Sequence, residues 1–319
     1  MSLRLEDRWI WDSWYAKDGD TYHAFYLCAS KGLGDPERRH RYTNVGHAVS
    51  KDLVNWEVLP DALSPSDSPA FDSWTTWTGS VVQDDNGLWW MFYTGTSRED
   101  SGEEQKIGAA TSPDLLTWTK VSKDALVVAD AKWYEKLDDN SWHDEAWRDP
   151  YVFKSENHWK MLITARSKKG DSMGRGVVGL ATSEDLLHWK VEKPISMSGS
   201  GFGQLEVLQY AVVDGFPIIL FCCGWTELQD SKKQVTPKHG GIYSVAVDSG
   251  LKHVDISSSI HFPSEELYAG RLVQGPDGGW NLLGFKNLSQ GKFVGELSDP
   301  VPVTANSDGL VVRESALSK

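Results

Sequence analysis

The chain has 319 residues, 32 of them basic and 45 acidic, for a formal charge of −13. That balance argues against a nucleic-acid partner, whose binding is led by clustered Lys and Arg, and no apolar run approaches the roughly 20 residues that cross a bilayer. Hydrophobic residues make up 40%, with 16 Trp, 10 Tyr and 10 Phe, so a large core is expected and disorder is not.

Five stretches, taken in chain order, each run from a small or polar strand through a turn into an apolar, aromatic strand. They are residues 12–29 about Asp18-Gly19-Asp20, 77–95 about Asp84-Asp85-Asn86-Gly87, 148–165 about Glu156-Asn157, 204–224 about Asp214-Gly215, and 268–285 about Pro276-Asp277-Gly278-Gly279. Asp-Gly and Asn-Gly accept positive φ and mark hairpins. Within the first three units a second pattern, G-x-A-[VT]-S-x-D-L-[LV]-x-W, occurs at residues 46–56, 108–118 and 179–189. Spacings of 62 and 71 residues suit a four-stranded sheet as the repeat unit. The pattern reads as a strand end, a Ser-x-Asp turn whose side chains bond the backbone, and an edge strand anchored by Trp56, Trp118 or Trp189.

Helical periodicity is weak throughout; the best candidate, residues 130–137, is short. The expected fold is therefore an all-β, five-bladed propeller of four-stranded antiparallel blades, forming one domain over residues 1–319. A two-domain sandwich leaves the five-fold pattern unexplained. Residues up to Ile10, or the tail 309–313, are expected to supply a strand that closes the ring.

Three Cys, with Cys222 and Cys223 adjacent, form no disulfide framework and read as buried small hydrophobes in a reducing compartment. Cys and His show no zinc spacing and no phosphate-cradling Gly-rich loop is present, so chemistry without metal or cofactor is expected. Residues 1–8 are charged and carry no signal-peptide core, which makes the expected compartment cytoplasmic. The basic cluster Arg38-Arg39-His40-Arg41 reads as a solvated loop.

Three acids fall at the starts of units one, three and four: Asp12, Asp149 and Glu206. If each unit begins with its innermost strand, these positions converge on the axis. Close carboxylates repel, so one should keep its proton near neutrality while another stays ionised. That division serves glycosidic cleavage, in which an acid protonates the leaving oxygen and a carboxylate attacks carbon or activates water. Arg148 could keep Asp149 charged or hold a sugar hydroxyl, and Trp11, Trp14, Trp74 and Trp77 are candidate sugar platforms. His47 departs from the repeat, where Ala109 and Leu180 stand, and is a candidate substrate residue as well as a candidate core histidine. His143, in His143-Asp144-Glu145, could line the funnel mouth.

These residues resemble the five-bladed propeller glycosidases, and most closely glycoside hydrolase family 32 with its relatives in families 68 and 43. The resemblance runs along essentially the whole chain and is carried by the Asp12 segment, Trp77-Thr78-Gly79-Ser80, Arg148-Asp149-Pro150 and Glu206. It implies Asp12 as nucleophile, Ser80 and its neighbours as substrate contacts, Asp149 as transition-state stabiliser and Glu206 as acid/base. The activity implied is retaining β-fructofuranosidase chemistry on sucrose or fructan-like fructosides, with a small carbohydrate as partner. Two departures stand out: Trp11-Asp12-Ser13-Trp14 lacks the family's Asn before the acid and its Pro-Asn-Gly after it, and Val207 rather than Cys follows Glu206. The fifth unit leaves about one blade's length, so no appended β-sandwich is expected. Alternatives are an inverting arabinofuranosidase or xylosidase of the family 43 type, and a carbohydrate-binding propeller without catalysis.

Overall fold

A computed structural model describes residues 3–139 and 141–313, in which strands account for every blade and the only α-helix among the described residues is Asp230–Lys233. Five antiparallel sheets follow one another along the chain. Blade 1 comprises Arg8–Asp18, Thr21–Ser30, Asn44–Ser50 and Glu57–Leu63; blade 2 comprises Thr75–Gln83, Trp89–Thr96, Gln105–Ser112 and Thr119–Lys120. Blade 3 holds Trp147–Ser155, His158–Arg166, Gly176–Ser183 and Lys190–Glu192, and blade 4 holds Glu206–Val213, Phe216–Cys223, Gly241–Ala246 and Ile260–His261. Blade 5 runs Leu267–Gln274, Trp280–Ser289, Val301–Ala305 and Leu310–Val312, with a fifth strand, Lys292–Leu297, pairing to the second. All five predicted hairpins are present.

First strands pack on first strands around the ring, blade 1 meeting blade 5, so they form the inner wall. The core lies in the seams between blades. Trp90 and Phe92 of blade 2 pack with Met161 and Ile163 of blade 3, Leu162 and Val178 with Ile219 and Phe221 of blade 4, and Leu220 and Ile242 with Leu272 and Leu282 of blade 5. Each such side chain contributes about 1.5–3 kcal/mol when fully buried. A propeller is stable because every blade buries its two faces against its neighbours.

The repeated pattern works as read. In its three copies the Ser hydroxyl bonds the Asp carboxylate, at 3.0 Å for Ser50–Asp52 and Ser112–Asp114 and 3.2 Å for Ser183–Asp185. The following Leu takes a left-handed φ of 64°, 63° and 68° at Leu53, Leu115 and Leu186. The Trp indole then donates to that Leu carbonyl, from Trp56, Trp118 and Trp189 at 3.2, 3.1 and 2.8 Å. Trp118 stands edge-on to Phe25 of blade 1 and Trp189 edge-on to Phe92 of blade 2, at 5.5 and 5.4 Å between ring centres. In blades 2 and 3 the anchor therefore joins the blade to the one before it.

Two expectations are corrected. Residues 130–137 form no α-helix; Tyr134 bridges to Ser167 and buries its ring against Trp147, because tertiary packing overrides a weak helical tendency. Among the described residues neither end joins a distant sheet: Leu310–Val312 is the outermost strand of its own blade, and the Leu3 carbonyl accepts one hydrogen bond from Leu297. The ring is held shut by side-chain packing between blades 1 and 5, where Phe285 and Leu297 share a cluster with Ile10 and Trp11. All three cysteines are buried and unpaired, and burial pushes the Cys28 thiol up to about 11. No helix among the described residues is long and apolar enough to cross a membrane.

Candidate active site

Every innermost strand is interrupted by a β-bulge near its start, between Trp11 and Ser13, Trp77 and Gly79, Leu162's and Thr164's partners in blade 3, Glu206 and Gln209, and Tyr268 and Arg271. A bulge adds a residue and re-aims side chains. Four of the five turn on a left-handed residue: Asp12 (φ 22°), Asp149 (φ 57°), Val207 (φ 55°) and Ala269 (φ 49°). For a β-branched residue such as Val207 this is a strained conformation, of the kind retained at functional sites.

The bulges align the blades into two rows. The row before the bulge reads Trp11, Trp77, Arg148, Glu206 and Tyr268; the bulge row reads Asp12, Thr78, Asp149, Val207 and Ala269. Asp12 and Asp149 are therefore structural equivalents. Glu206 stands one residue earlier, in the row of Arg148, because in blade 4 the left-handed position is taken by Val207.

The rows converge on a funnel of about 610 Å³ at one end of the axis, lined by Asp12, Asp149 and Glu206 together with Trp11, Trp77, His143 and Arg148. Asp12 accepts the Thr78 hydroxyl across the blade seam. Asp149 Oδ2 accepts the Thr164 hydroxyl at 2.9 Å and the strained Val207 amide at 3.1 Å. Glu206 Oε1 takes Arg148 Nη2 at 2.7 Å, and its Oε2 accepts the Tyr268 hydroxyl. Arg148 Nε lies 3.6 Å from Asp149 Oδ2, so one guanidinium faces two of the three acids.

Burial dominates the electrostatics. It pushes Asp12 up to about 7, with repulsion from Asp149 next and the Thr78 hydrogen bond opposing. Asp149 is also raised by burial, against the pull of Arg148. Arg148 loses to burial but gains more from Glu206, Asp149 and Asp144, and stays charged well above the usual arginine range. A fourth acid, Glu227, is pushed up to about 8 by burial and by Glu206, and its Oε1 accepts Gln204 Nε2 at 2.8 Å. Burial thus favours the protonated form of both Glu227 and Asp12.

Four predicted substrate residues lie elsewhere. Trp14 is 2% exposed, stacks on Phe25 and lines a pit at the far end of the axis; three residues down a strand is about 10 Å from Trp11. His47 belongs to the third strand of blade 1, away from the axis. It hydrogen-bonds His23 at 3.0 Å and stacks on Phe25 at 4.5 Å, and burial, then His23, pushes it down to about 3, as expected of a neutral core histidine. Trp74 lies outside the funnel lining, its ring beneath Arg41 at 4.7 Å. The Ser80 hydroxyl is buried in the seam with blade 3, where it accepts the Val152 amide at 3.0 Å.

Conversely, the basic cluster is a solvated loop only in part: Arg38 and His40 are exposed, whereas Arg39 is buried. Pro36–Arg41 forms a 3₁₀ turn whose Arg39 is buried over Phe293 at 3.9 Å, and Arg39, His40 and Arg41 all line the funnel. His40 is exposed at the funnel wall, and its crowded surroundings, with Arg39, Arg41 and Arg148 adding, push it down. Gln105, Gln204, Glu227 and Tyr268 are further lining residues the sequence reading did not single out, and Thr78, among the substrate contacts the resemblance implies, lines the funnel too. Tyr268 was accessible through its place in the row before the bulge and Gln204 as the head of the fourth unit; Gln105 starts a third strand, and Glu227 comes from a connection without periodic signal. No group of three or more His, Cys, Asp or Glu among the described residues is placed to hold a metal ion.

The model of the glycosyl hydrolases family 32 N-terminal domain matches residues 13–273. Among relatives, an Arabidopsis thaliana insoluble β-fructofuranosidase isoenzyme is 30% identical over 182 residues, covering 54% of this chain and 27% of that protein. A Bacillus subtilis sucrose-6-phosphate hydrolase is 32% identical over 191 residues, 60% of this chain and 34% of that one. The matches thus span about a quarter to a third of the relatives' length. Among solved structures, the Bombyx mori β-fructofuranosidase superposes with a TM-score of 0.74 at 19% identity, over 98% of this chain and 64% of that chain. The Halalkalicoccus jeotgali inulosucrase bound to kestose gives 0.75 at 20% identity, over 97% and 87%. Both likenesses are of fold.

Proposed function

The chain belongs to glycosyl hydrolase family 32, and from that premise we propose that it hydrolyses β-fructofuranosides with retention, using Asp12 as nucleophile, Glu206 as acid/base and Asp149 as the residue that grips the sugar. The observation that carries the reading is the convergence of these three carboxyls in one funnel, each held by hydroxyl, amide or guanidinium donors from a neighbouring blade or strand.

In the first step an oxygen of ionised Asp12 attacks the anomeric carbon. The bond to the leaving oxygen breaks, and that oxygen takes the proton of Glu206. In the second, Glu206 removes a proton from water, whose oxygen attacks the same carbon and releases Asp12. Asp149, fixed by Thr164 and the Val207 amide, is placed to accept sugar hydroxyls. Trp77, half-buried, offers an apolar face to the funnel, whereas Trp11 is 3% exposed and backs its wall, and Arg148 and Tyr268 orient Glu206.

The relatives' names include hydrolases of both free and phosphorylated sucrose-type sugars. Six carboxylates line this funnel, Asp12, Glu37, Asp144, Asp149, Glu206 and Glu227, against the three arginines Arg39, Arg41 and Arg148. Burial favours the protonated form of Asp12, Asp149 and Glu227, and Glu206 carries a proton when it acts as acid, so the ionised acids do not outnumber the arginines and lining charge alone does not separate sucrose from its phosphate. The test is turnover on sucrose, sucrose 6-phosphate, fructans, and aryl fructosides, arabinofuranosides and xylosides, repeated with Glu206→Gln. The reading expects fructose from fructosides, and a loss of about a thousandfold in Glu206→Gln on sucrose but about tenfold or less on an activated aryl fructoside. Equal losses on both leaving groups would remove Glu206 from the acid role, and turnover confined to arabinosides or xylosides would overturn the substrate.

A further inference from the structure

Arg271 lies in the innermost strand of blade 5, just past the bulge, and is 2% exposed. It lines the far pit rather than the funnel. Its hydrogen bonds cross to two other blades and end on main-chain carbonyls: Nη1 on Leu208 at 2.6 Å and Val207 at 3.2 Å, Nη2 on Gly79 at 3.3 Å. Among the described residues it bonds no carboxylate, and its Nε–H has no partner. A buried guanidinium without a paired anion is costly and is retained only where the surroundings need it.

The carbonyls it holds belong to the bulges that present donors to the acids. Gly79 follows Thr78, whose hydroxyl reaches Asp12, and Val207 is the residue whose amide reaches Asp149. The blade 2 bulge is closed so tightly that a Cβ on Gly79 would stand 2.0 Å from the Phe92 carbonyl oxygen. Both bulges therefore have little freedom, and one side chain from a third blade fastens them together.

We infer that Arg271 is a positioning residue for the two bulge-row acids: it ties blades 2 and 4 together across the axis, so that Thr78 and Val207 hold Asp12 and Asp149, and it supplies the buried positive charge behind both carboxylates. The inference rests on the reading of Asp12 as nucleophile. The charged and titratable groups facing Asp12 are Asp149 from blade 3 and Glu206 and Cys222 from blade 4, with Arg39 from the loop of blade 1 and Arg271 from blade 5. Arg271 favours the ionised form of Asp12, while Asp149 and Glu206 oppose it. Arg148 is committed to Glu206 and Asp149 at the funnel end.

The test compares the intact chain with Arg271→Met and Arg271→Lys. It reads the acid limb of kcat/KM against pH and, separately, a carbon NMR titration of the aspartate carboxyls in the folded protein without substrate. Arg271→Met is expected to move both midpoints up by about one pH unit and to lower kcat about tenfold, with KM changed less than about threefold. Arg271→Lys should bring the midpoint most of the way back but leave kcat low, because an ammonium keeps the charge and loses the fork that spans the carbonyls. A folded Arg271→Met variant with unmoved midpoints and unchanged kcat would overturn the inference. Should that variant not fold, Arg271→Lys decides: a lowered kcat with an unmoved midpoint supports positioning, and an unchanged kcat refutes it. If the intact chain turns over no fructoside, the proposed function fails, and the NMR midpoint in Arg271→Met still tests Arg271: movement supports it and constancy overturns it.

Discussion

At the outer edges of blades 1, 2 and 3 one eleven-residue pattern occurs three times, whereas at the inner ends of the five blades no two bulge-row positions outside the Asp12–Asp149 pair hold the same residue. The outer copies have the same turn, the same left-handed Leu and the same indole bond. Their acids are exposed, and hydrogen bonds from the turn hold Asp52, Asp114 and Asp185 below the usual carboxylate range. The inner acids, half-buried Asp12 and buried Asp149, are raised, by loss of solvent first and, at Asp12, by repulsion from Asp149. Repetition builds the ring, and departure from repetition builds the chemistry. Changes in the two regions should therefore separate stability from turnover.

Asp12→Asn should separate them most widely. Loss of the nucleophile is expected to lower kcat about ten-thousandfold, or about 5 kcal/mol of barrier. The same change should stabilise the fold. Burial, then Asp149, pushes the folded carboxyl from the ordinary aspartate range up to about 7, so the folded state binds more protons than the unfolded one across that interval, and stability falls as pH rises through it. Removing the ionisable group should recover on the order of 2–4 kcal/mol at pH 8 and almost nothing near pH 4; denaturant unfolding at several pH values checks this. A destabilised Asn variant at pH 8 would break the contrast.

Trp118→Ala is the outer counterpart. It removes an indole packed on Phe25 and bonded to Leu115, and should cost about 3 kcal/mol of stability while kcat stays within about twofold. Ser183→Ala is smaller: it leaves the amides of Asp185 and Leu186 without their acceptor, at about 1–2 kcal/mol. His47→Gln should have the least functional effect, with kcat/KM within about twofold, since its ring is enclosed by His23 and Phe25. A tenfold rise in KM would return it to the substrate site.

The ring was legible because hairpin turns such as Asp214-Gly215 and the repeated Ser-x-Asp-Leu pattern are local rules, satisfied by residues adjacent in sequence. The three acids were legible for the same reason, as each starts a strand whose hairpin could be placed. What escaped depended on the bulge. A single inserted residue sets Glu206 beside Arg148 rather than beside Asp12, carries Trp14 and Ser80 below the funnel, and makes row-mates of Thr78 and Ala269. No periodicity reports an interruption one residue long. Glu227, Arg39 and His40 come from connections, where position follows from tertiary packing alone.

The central claim is that the inner row carries out nucleophilic chemistry on a fructosyl group. It is tested most directly by incubating Glu206→Gln with an activated aryl fructoside, quenching with acid and mapping the peptides by mass spectrometry. The account predicts one anhydrofructose unit bound covalently at Asp12. A fructosyl unit on another residue, or fructose released with the opposite anomeric configuration and no adduct, would contradict it.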